Sequence, residues 1–466
     1  VKIEYRDSND PLVKLLGKGN PVLVVGLGNS GISTANLLAR MGCAVEVSEK
    51  SKREDTMVDM SRLQSSVTVH WGGHPEELFT RFPLVIVSPG VPGDLRVLHV
   101  AFEKGAKIIG EMELAFRLTT APWVAVTGSN GKSTTVTLVD LMAQEHGLLV
   151  STGGNLGTPV TSFVGQDENP EFIVAEVSSF QLETVDQFRP NIAAMLNLSP
   201  DHLDRHADVE EYVAAKMRIF SRMTEDDWAV LNEDDRWISL DTRALKVKRF
   251  PFSRKHILDQ GAFVKEGWII LREGVNESPV AAVSSLALAG NHNLENALAA
   301  SAIACRMGID RGVITKVLTS FAGLEHRMEL LGYFRGVPVY NDSKGTNVGA
   351  TVRSLEGLGG QVILILGGRD KGTSYEPLKK MISKKVDHLI LLGESAPRMQ
   401  KAFNGASRII TVDSLDEAVR VAVQYARPGS EILFSPACSS FDMFSGFEER
   451  GLAFKEAARK YMGLAR

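Results

Sequence analysis

The feature that most constrains this chain is a repeated unit. A short, near-continuous apolar run ends in a glycine-bearing turn and passes into a helical pattern. Pro21–Val25 runs into Gly26-Leu27-Gly28-Asn29-Ser30-Gly31, then into a helical pattern through Ile32, Ala35, Leu37 and Leu38. Trp123–Val126 runs into Thr127-Gly128-Ser129-Asn130-Gly131-Lys132-Ser133-Thr134. Runs without polar alternation suit strands covered on both faces, as in parallel sheets flanked by helices. The pattern predicts an α/β fold with mainly parallel sheets.

At 466 residues the chain is too long for one ordinary core. The runs divide it into three expected domains. Residues 1–111 hold strands at Pro21–Val25, Ala44–Val47 and Leu84–Val87, and form a Rossmann-like unit. Residues 112–322 hold strands at Trp123–Val126, Phe172–Ala175 and Ile192–Leu198, then helices at Asn293–Ile303 and onward to about Phe321. Short strand-like pieces fill Trp228–Val283 of this P-loop-type unit. Residues 323–466 hold strands at Val337–Tyr340, Val362–Leu366, His388–Leu392, Arg408–Val412 and Glu431–Phe434, a second Rossmann-like unit.

Totals exclude several classes. A net charge of −4 offers no basic field for nucleic acid. Three cysteines (Cys43, Cys305 and Cys438) lack paired spacing, so neither a disulfide framework nor a thiolate zinc site is expected. No apolar run is long enough to span a membrane. Val1–Asp10 is polar and charged rather than leader-like. A cytoplasmic monomer is the expectation.

The turn Thr127–Thr134 carries the clearest chemistry. Its glycines let backbone N–H groups approach a polyphosphate, and the following helix N-terminus favours negative charge. Lys132 can offset the outer phosphates, and Ser133 or Thr134 can place a hydroxyl on Mg²⁺. Val126 stands where the usual P-loop has glycine, so this is a shorter variant. Glu176 follows Phe172–Ala175 at the same sheet edge, where a carboxylate suits a metal or caps a helix. His202 lies in the polar loop Ser199–Asp204, where a structural role and a functional one are both open.

Lys216 is the oddity. Tyr212, Val213, Ile219 and Phe220 surround it at helical spacing, which centres an ammonium on an apolar stripe. It can snorkel to water. Alternatively, burial lowers its pKa and leaves an amine that reacts with CO₂, giving a carbamate suited to Mg²⁺. Gly26–Gly31 fits a dinucleotide fingerprint, with Glu49 the only candidate ribose acid, and alone it does not specify a nicotinamide.

In order along the chain stand GLGNSGIS, TGSNGKST, AEVSSFQLE, NLSPDHLDRH, AAKMRIF, GNHNLENALAA, LEHRMEL, NDSKGTN, LGGRDKG and SPACSSFDMF. Together they resemble the Mur ligase family, which extends peptidoglycan precursor peptides, over essentially the whole chain. The resemblance is greatest to the branch that adds D-glutamate to UDP-N-acetylmuramoyl-L-alanine. It implies ATP, two Mg²⁺ sites and a carbamoyl group on Lys216 derived from CO₂. Ser133 and Glu176 would hold one Mg²⁺, with His202 and Lys216 holding the other. Gly128, Asn130, Gly131, Lys132, Ser133, Thr134, Asn293, Asn296, Arg327 and Asp342 would serve ATP. Lys132, His202, Lys216 and Lys344 would be the catalytic set.

The resemblance also implies that the first domain binds UDP. Gly28, Asn29, Ser30, Lys50, Ser88 and Gly90 would meet that substrate, joined by Asn155 and Ser178. Relatives carry an Asp-Thr-Arg-like triplet where this chain has Ser48-Glu49-Lys50. Thr346, Lys371, Ser440 and Phe447 would hold D-glutamate. The chain lacks the Asp-Asn-Pro-Arg motif of the diaminopimelate-adding branch. Closure about a linker near Gly323 is expected. The nearest alternative is a sister ligase with another amino-acid acceptor or a folate–glutamate pairing, though folate relatives lack the front UDP domain. Two further rivals have less use for these residues. A nicotinamide oxidoreductase needs neither P-loop nor Lys216, and a P-loop switch protein needs no acceptor pocket.

Overall fold

The computed structural model describes the chain except for residues 1, 2, 4, 18, 57, 156, 167, 200–207, 243, 244, 289, 322, 371–373, 465 and 466, and describes no side chains at 239–241. His202 and Lys371 therefore lie outside the described residues. The chain divides into two compact units, one reaching to Phe321 and the other beginning after it.

The first unit contains three sheets. Strands β1 (Pro21–Val25), β2 (Ala44–Glu49), β3 (Thr68–Trp71), β4 (Leu84–Val87) and β5 (Lys107–Gly110) form an all-parallel sheet in the order β3-β2-β1-β4-β5. The order reverses between β1 and β4, and the Gly26–Gly31 turn and the Ser88–Gly90 loop emerge there. A crevice at such a reversal is where open α/β sheets take ligands.

Strands β6 (Trp123–Thr127), β7 (Val150–Gly154), β8 (Phe172–Glu176), β9 (Ile192–Met195), β10 (Trp228–Leu231) and β11 (Lys248–Arg249) form a second parallel sheet in the order β11-β10-β9-β6-β8-β7. β6 is buried at every position and flanked by β8 and β9, so the loops after these three strands open side by side. The predicted strand Ile192–Leu198 stops at Met195. Asn197 turns out of the sheet because its amide exchanges hydrogen bonds with Asn130, accepting from the N–H at 2.9 Å and donating to the carbonyl at 3.0 Å. The strand-like pieces of Trp228–Val283 resolve into β10, β11 and a small third sheet. That sheet orders β12 (Phe252–Ser253), β13 (Gly261–Lys265), β14 (Trp268–Glu273) and β15 (Asn276–Ala282) in sequence.

The second unit is one sheet of β16 (Glu329–Phe334), β17 (Val337–Asn341), β18 (Gln361–Gly367), β19 (Val386–Leu392), β20 (Arg408–Thr411) and β21 (Ser430–Phe434), ordered β16-β17-β21-β18-β19-β20. Only the edge strand β16 is antiparallel. The α/β class and the expected strands stand, most extended by one or two residues, with Arg408–Thr411 one shorter. No helix among the described residues is long and apolar enough to cross a membrane.

Candidate active site

The P-loop begins where β6 ends. Gly128 has φ 145° and Gly131 has φ 86°, backbone angles that favour glycine. A methyl group at Gly131 would stand 2.2 Å from the Asn296 side-chain oxygen. Asn296, buried on the helix Asn291–Arg306, is thereby laid against the loop, with Asn293 one turn earlier. The helix Lys132–His146 starts directly after, so its first N–H groups face the loop. Lys132 Nζ folds back onto the Gly128 and Ser129 carbonyls at 2.9 and 3.1 Å. Thr134 is buried in the first turn.

Glu176 is the last residue of β8 and is buried. Its carboxylate accepts from Ser133 Oγ at 2.7 Å through one oxygen and from Asn155 Nδ2 at 2.7 Å through the other. A hydroxyl and a carboxylate so paired are hard oxygen donors of the kind Mg²⁺ prefers, and a nucleotide held by the P-loop would add its phosphate oxygens. Among the described residues no group of three His, Cys, Asp or Glu side chains is gathered for a metal. Two protein donors suffice for an ion that keeps several waters. Ser178, next but one, caps the helix Ser179–Glu183 in a reciprocal capping box with Gln181.

Lys216 is 1% exposed, so it does not snorkel. The helix Val209–Met217 carries it, and the chain then tightens to a 3₁₀ turn at Arg218–Phe220. Its Nζ lies 3.1 Å from the Gly128 carbonyl, 3.3 Å from Thr127 Oγ1 and 4.8 Å from the centre of the Tyr212 ring. Tyr212 in turn meets Ser129 Oγ at 3.0 Å. The buried amine therefore sits at the junction of β6 and the P-loop. Sequence reasoning missed Tyr212 and Asn197 as partners of this loop. The only signal was their place in the AAKMRIF and NLSPDHLDRH segments.

In the first sheet, Gly28 precedes the helix Asn29–Arg40, which begins with Asn29 and Ser30. Ser88 Oγ donates to the Gly26 carbonyl at 3.2 Å, so the two loops at the strand-order reversal are joined. A methyl group at Gly31 would lie 2.0 Å from that same carbonyl. Glu49 accepts from the Leu27 N–H at 2.7 Å and the Ser51 N–H at 2.8 Å. Its carboxylate thus reaches the glycine turn, while Lys50 and Gly90 are exposed. A cavity of about 470 Å³ lies between the helix Asn29–Arg40 and the turn Gly157–Ser162, and Asn29 and Arg62 are among its lining residues.

In the second unit, loops after β17, β18 and β21 are bonded together. The Gly367 N–H donates to the Pro436 carbonyl, Ala437 to Gly345, and Arg369 to Ser439. Asp342, buried after β17, accepts from Ser435 Oγ at 2.6 Å, Ser354 Oγ at 2.7 Å and the Met328 N–H at 3.2 Å. Burial holds its carboxyl above the ordinary range, against the opposing charge of Arg327. Lys344 Nζ stands 5.2 Å from the centre of the Phe447 ring, and Thr346 follows on the same loop. Ser440 is buried after β21. Arg450 was not foreseen. Its buried guanidinium holds Ser343 through Oγ and carbonyl and the Cys438 carbonyl, at 2.8–3.1 Å. Burial lowers its pKa to about 10.

Comparison with known proteins points to one family. Three family models match in order: "Mur ligase MurD-like, N-terminal domain" over residues 20–110, "Mur ligase middle domain" over 126–304, and "Mur ligase, glutamate ligase domain" over 326–438. The chain is 41% identical over 452 residues to a UDP-N-acetylmuramoylalanine–D-glutamate ligase of Geobacter sp. (strain M21), covering 95% of this chain and 98% of the relative. It is 42% identical to one so named in Acidobacterium capsulatum, covering 96% and 98%. Among solved structures, the UDP-N-acetylmuramate–alanine ligase of Thermotoga maritima matches with a TM-score of 0.59 at 18% identity, covering 94% and 99%. A pseudomurein peptide ligase type C from Methanothermus fervidus matches with 0.58 at 20%, covering 94% and 99%, and these two support the fold alone.

Proposed function

The chain belongs to the Mur ligase family, and from that premise we propose that it joins D-glutamate to UDP-N-acetylmuramoyl-L-alanine at the expense of ATP, in peptidoglycan precursor synthesis. The observation that carries the ATP half is the meeting of Ser133 and Glu176 beside Lys132 on a P-loop. The acceptor half is supported by the name of the full-length relatives at 41–42% identity.

The reaction runs in two steps. The alanyl carboxylate attacks the γ-phosphate of ATP, giving an acyl phosphate and ADP. The amine of D-glutamate then attacks the acyl carbonyl, and phosphate leaves. Lys132 offsets charge on the transferred group, and the N–H groups of the loop Gly128–Thr134 orient it. Mg²⁺ at Ser133 and Glu176, with a second at His202 and a carbamoylated Lys216, would add charge neutralisation. Asn293 and Asn296 serve the nucleotide. Arg327 and Asp342 serve ATP from the C-terminal domain, with Lys344 beside them. Gly28, Asn29, Ser30, Lys50, Ser88 and Gly90 bind the UDP end, and Asn155 and Ser178 the remainder of that substrate. Lys371 pairs with the side-chain carboxylate of D-glutamate, Thr346 and Ser440 donate hydroxyls, and the backbone near Phe447 adds a contact. The proposed domains are 1–111, 112–322 and 323–466, in a cytoplasmic monomer.

Phosphate release from ATP and Mg²⁺, with the UDP substrate and D-glutamate each present or absent, tests the reading. Release should require both, and L-glutamate or diaminopimelate should not replace D-glutamate. Release with another amino acid would overturn the acceptor half alone. No release under any pairing would overturn the ligase.

A further inference from the structure

Arg327 stands between two residues in the left-handed region, His326 at φ 62° and Met328 at φ 44°. Neither is a glycine, so surrounding contacts must hold the turn there. The contacts come from four directions. The His326 N–H donates to Glu329 Oε2 on β16 at 2.9 Å. The His326 carbonyl accepts from the Lys344 N–H at 2.9 Å. The Met328 N–H reaches Asp342 at 3.2 Å. The buried His326 ring meets Asn341 Nδ2 at 2.9 Å through Nδ1, and the same amide donates to the Gly451 carbonyl at 3.2 Å.

Gly451 belongs to the long helix Phe447–Met462. A methyl group there would lie 2.3 Å from His326 Nδ1, with the ring carbons at 2.5 and 2.8 Å. The ring is thus seated in the notch that this glycine leaves. Burial lowers the pKa of His326, against the pull of Glu325, Glu329 and Glu448, and an unprotonated Nδ1 is the acceptor for the Asn341 amide.

We propose that His326, Asn341 and Gly451 are positioning residues, which act on the reaction by fixing the turn that presents Arg327 to ATP. This rests on the ATP role proposed for Arg327. The set touches no substrate itself, and its effect passes through the guanidinium. A side chain at position 451 displaces the ring, frees the turn and disperses the aim of Arg327 without removing any charge.

The test is a double-mutant cycle on the full chain, with ATP as varied substrate and the other two saturating. Gly451→Ala and Asn341→Ala are each made alone and in an Arg327→Ala background, and folding is followed by thermal unfolding. The expected result is a loss of tenfold or more in kcat/KM for ATP from Gly451→Ala in a folded protein. The same substitution then adds less than twofold to Arg327→Ala. Asn341→Ala, which leaves the notch unfilled, should behave alike and stands in if Gly451→Ala does not fold. Full additivity with Arg327→Ala, or wild-type kinetics of both single variants, would overturn the proposal. If Arg327→Ala alone leaves kcat/KM for ATP unchanged, the ATP reading of Arg327 has failed, and the inference with it.

Discussion

Ser133 and Glu176, the second residue of one helix and the last residue of a neighbouring strand, meet at 2.7 Å with both side chains buried. If this hydroxyl–carboxylate pair holds Mg²⁺, as proposed, the charge on Glu176 is what the ion needs. Glu176→Gln should keep the shape and remove the charge. Phosphate release should fall at least about 100-fold, about 2.7 kcal/mol in the barrier. The Mg²⁺ concentration for half-maximal rate should rise. An unchanged Mg²⁺ dependence, measured by titration at saturating ATP, would count against metal binding here.

Lys216 offers a second test. Its Nζ is buried against the Gly128 carbonyl and Thr127 Oγ1. If the amine carries a carbamate, activity should fall in buffer stripped of CO₂ and return on adding bicarbonate. Lys216→Ala should lose at least about 100-fold in kcat, about 2.7 kcal/mol, and respond to bicarbonate not at all. A wild-type enzyme indifferent to CO₂ would remove the carbamate from the mechanism.

Gly131→Ala separates binding from chemistry. The added methyl would sit 2.2 Å from the Asn296 oxygen, at a backbone φ of 86°. Strain of about 1–3 kcal/mol falls on the ligand-free loop and should lower stability by that amount, and a loop shifted to relieve it should bind ATP more weakly. Isothermal titration with a non-hydrolysable ATP analogue measures this directly. Affinity for the UDP substrate should stay as in the wild type.

How much of this was legible in the sequence follows from the physics of each part. β6, β8 and β9 are buried on both faces, so their apolar runs marked them and placed Glu176 and the P-loop at one edge. The sheet β12–β15 was obscure because its strands are short and partly polar, as in Asn276–Ala282. Lys216 was visible as a charge on an apolar stripe, although its partners Thr127 and Gly128 were not. The seat of His326 could not be read, because Asn341 and Gly451 meet across 110 positions and a glycine in a helix carries no outward sign of what fills its notch.

Glu111 gives a pH prediction. It is buried at the start of the helix Glu111–Arg117 and accepts from the Thr161 N–H at 2.8 Å and the Thr161 hydroxyl at 3.0 Å, both through Oε1. Its other oxygen has no partner among the described residues. Burial raises its pKa from 4.5 to about 7. The folded state therefore binds the proton more tightly than the unfolded state, and between these values stability falls as pH rises. The stabilisation is complete below the unfolded value and is lost as pH rises through about 7. The full loss is on the order of 3 kcal/mol. Glu111→Gln keeps a neutral acceptor and removes the titration. Relative to wild type the variant should gain stability from about pH 5 to about pH 8, read as the difference in urea midpoint at each pH. Parallel wild-type and variant curves over that range would show that the carboxyl titrates at its ordinary value.

Glu113 lies two residues on, and both of its carboxylate oxygens are hydrogen-bonded. It is fully buried and accepts from the N–H groups of Asp186, Gln187 and Phe188 at 2.9–3.0 Å, and from Arg117 Nε at 2.6 Å. Arg117 passes the link on to Asp10 and Asp186, each at 2.8 Å. This carboxylate ties the helix after the first sheet to a loop before β9, so its loss loosens the joint between the two sheets. Glu113→Ala would leave three N–H groups and Arg117 Nε without their acceptor while Asp10 and Asp186 still hold the guanidinium, and should destabilise the first unit by roughly 3 kcal/mol. Arg117→Met removes the charge but leaves the three N–H bonds, and should cost less than Glu113→Ala. Urea unfolding of both variants decides the order, and equal losses would mean that the ion pair rather than the loop anchor dominates.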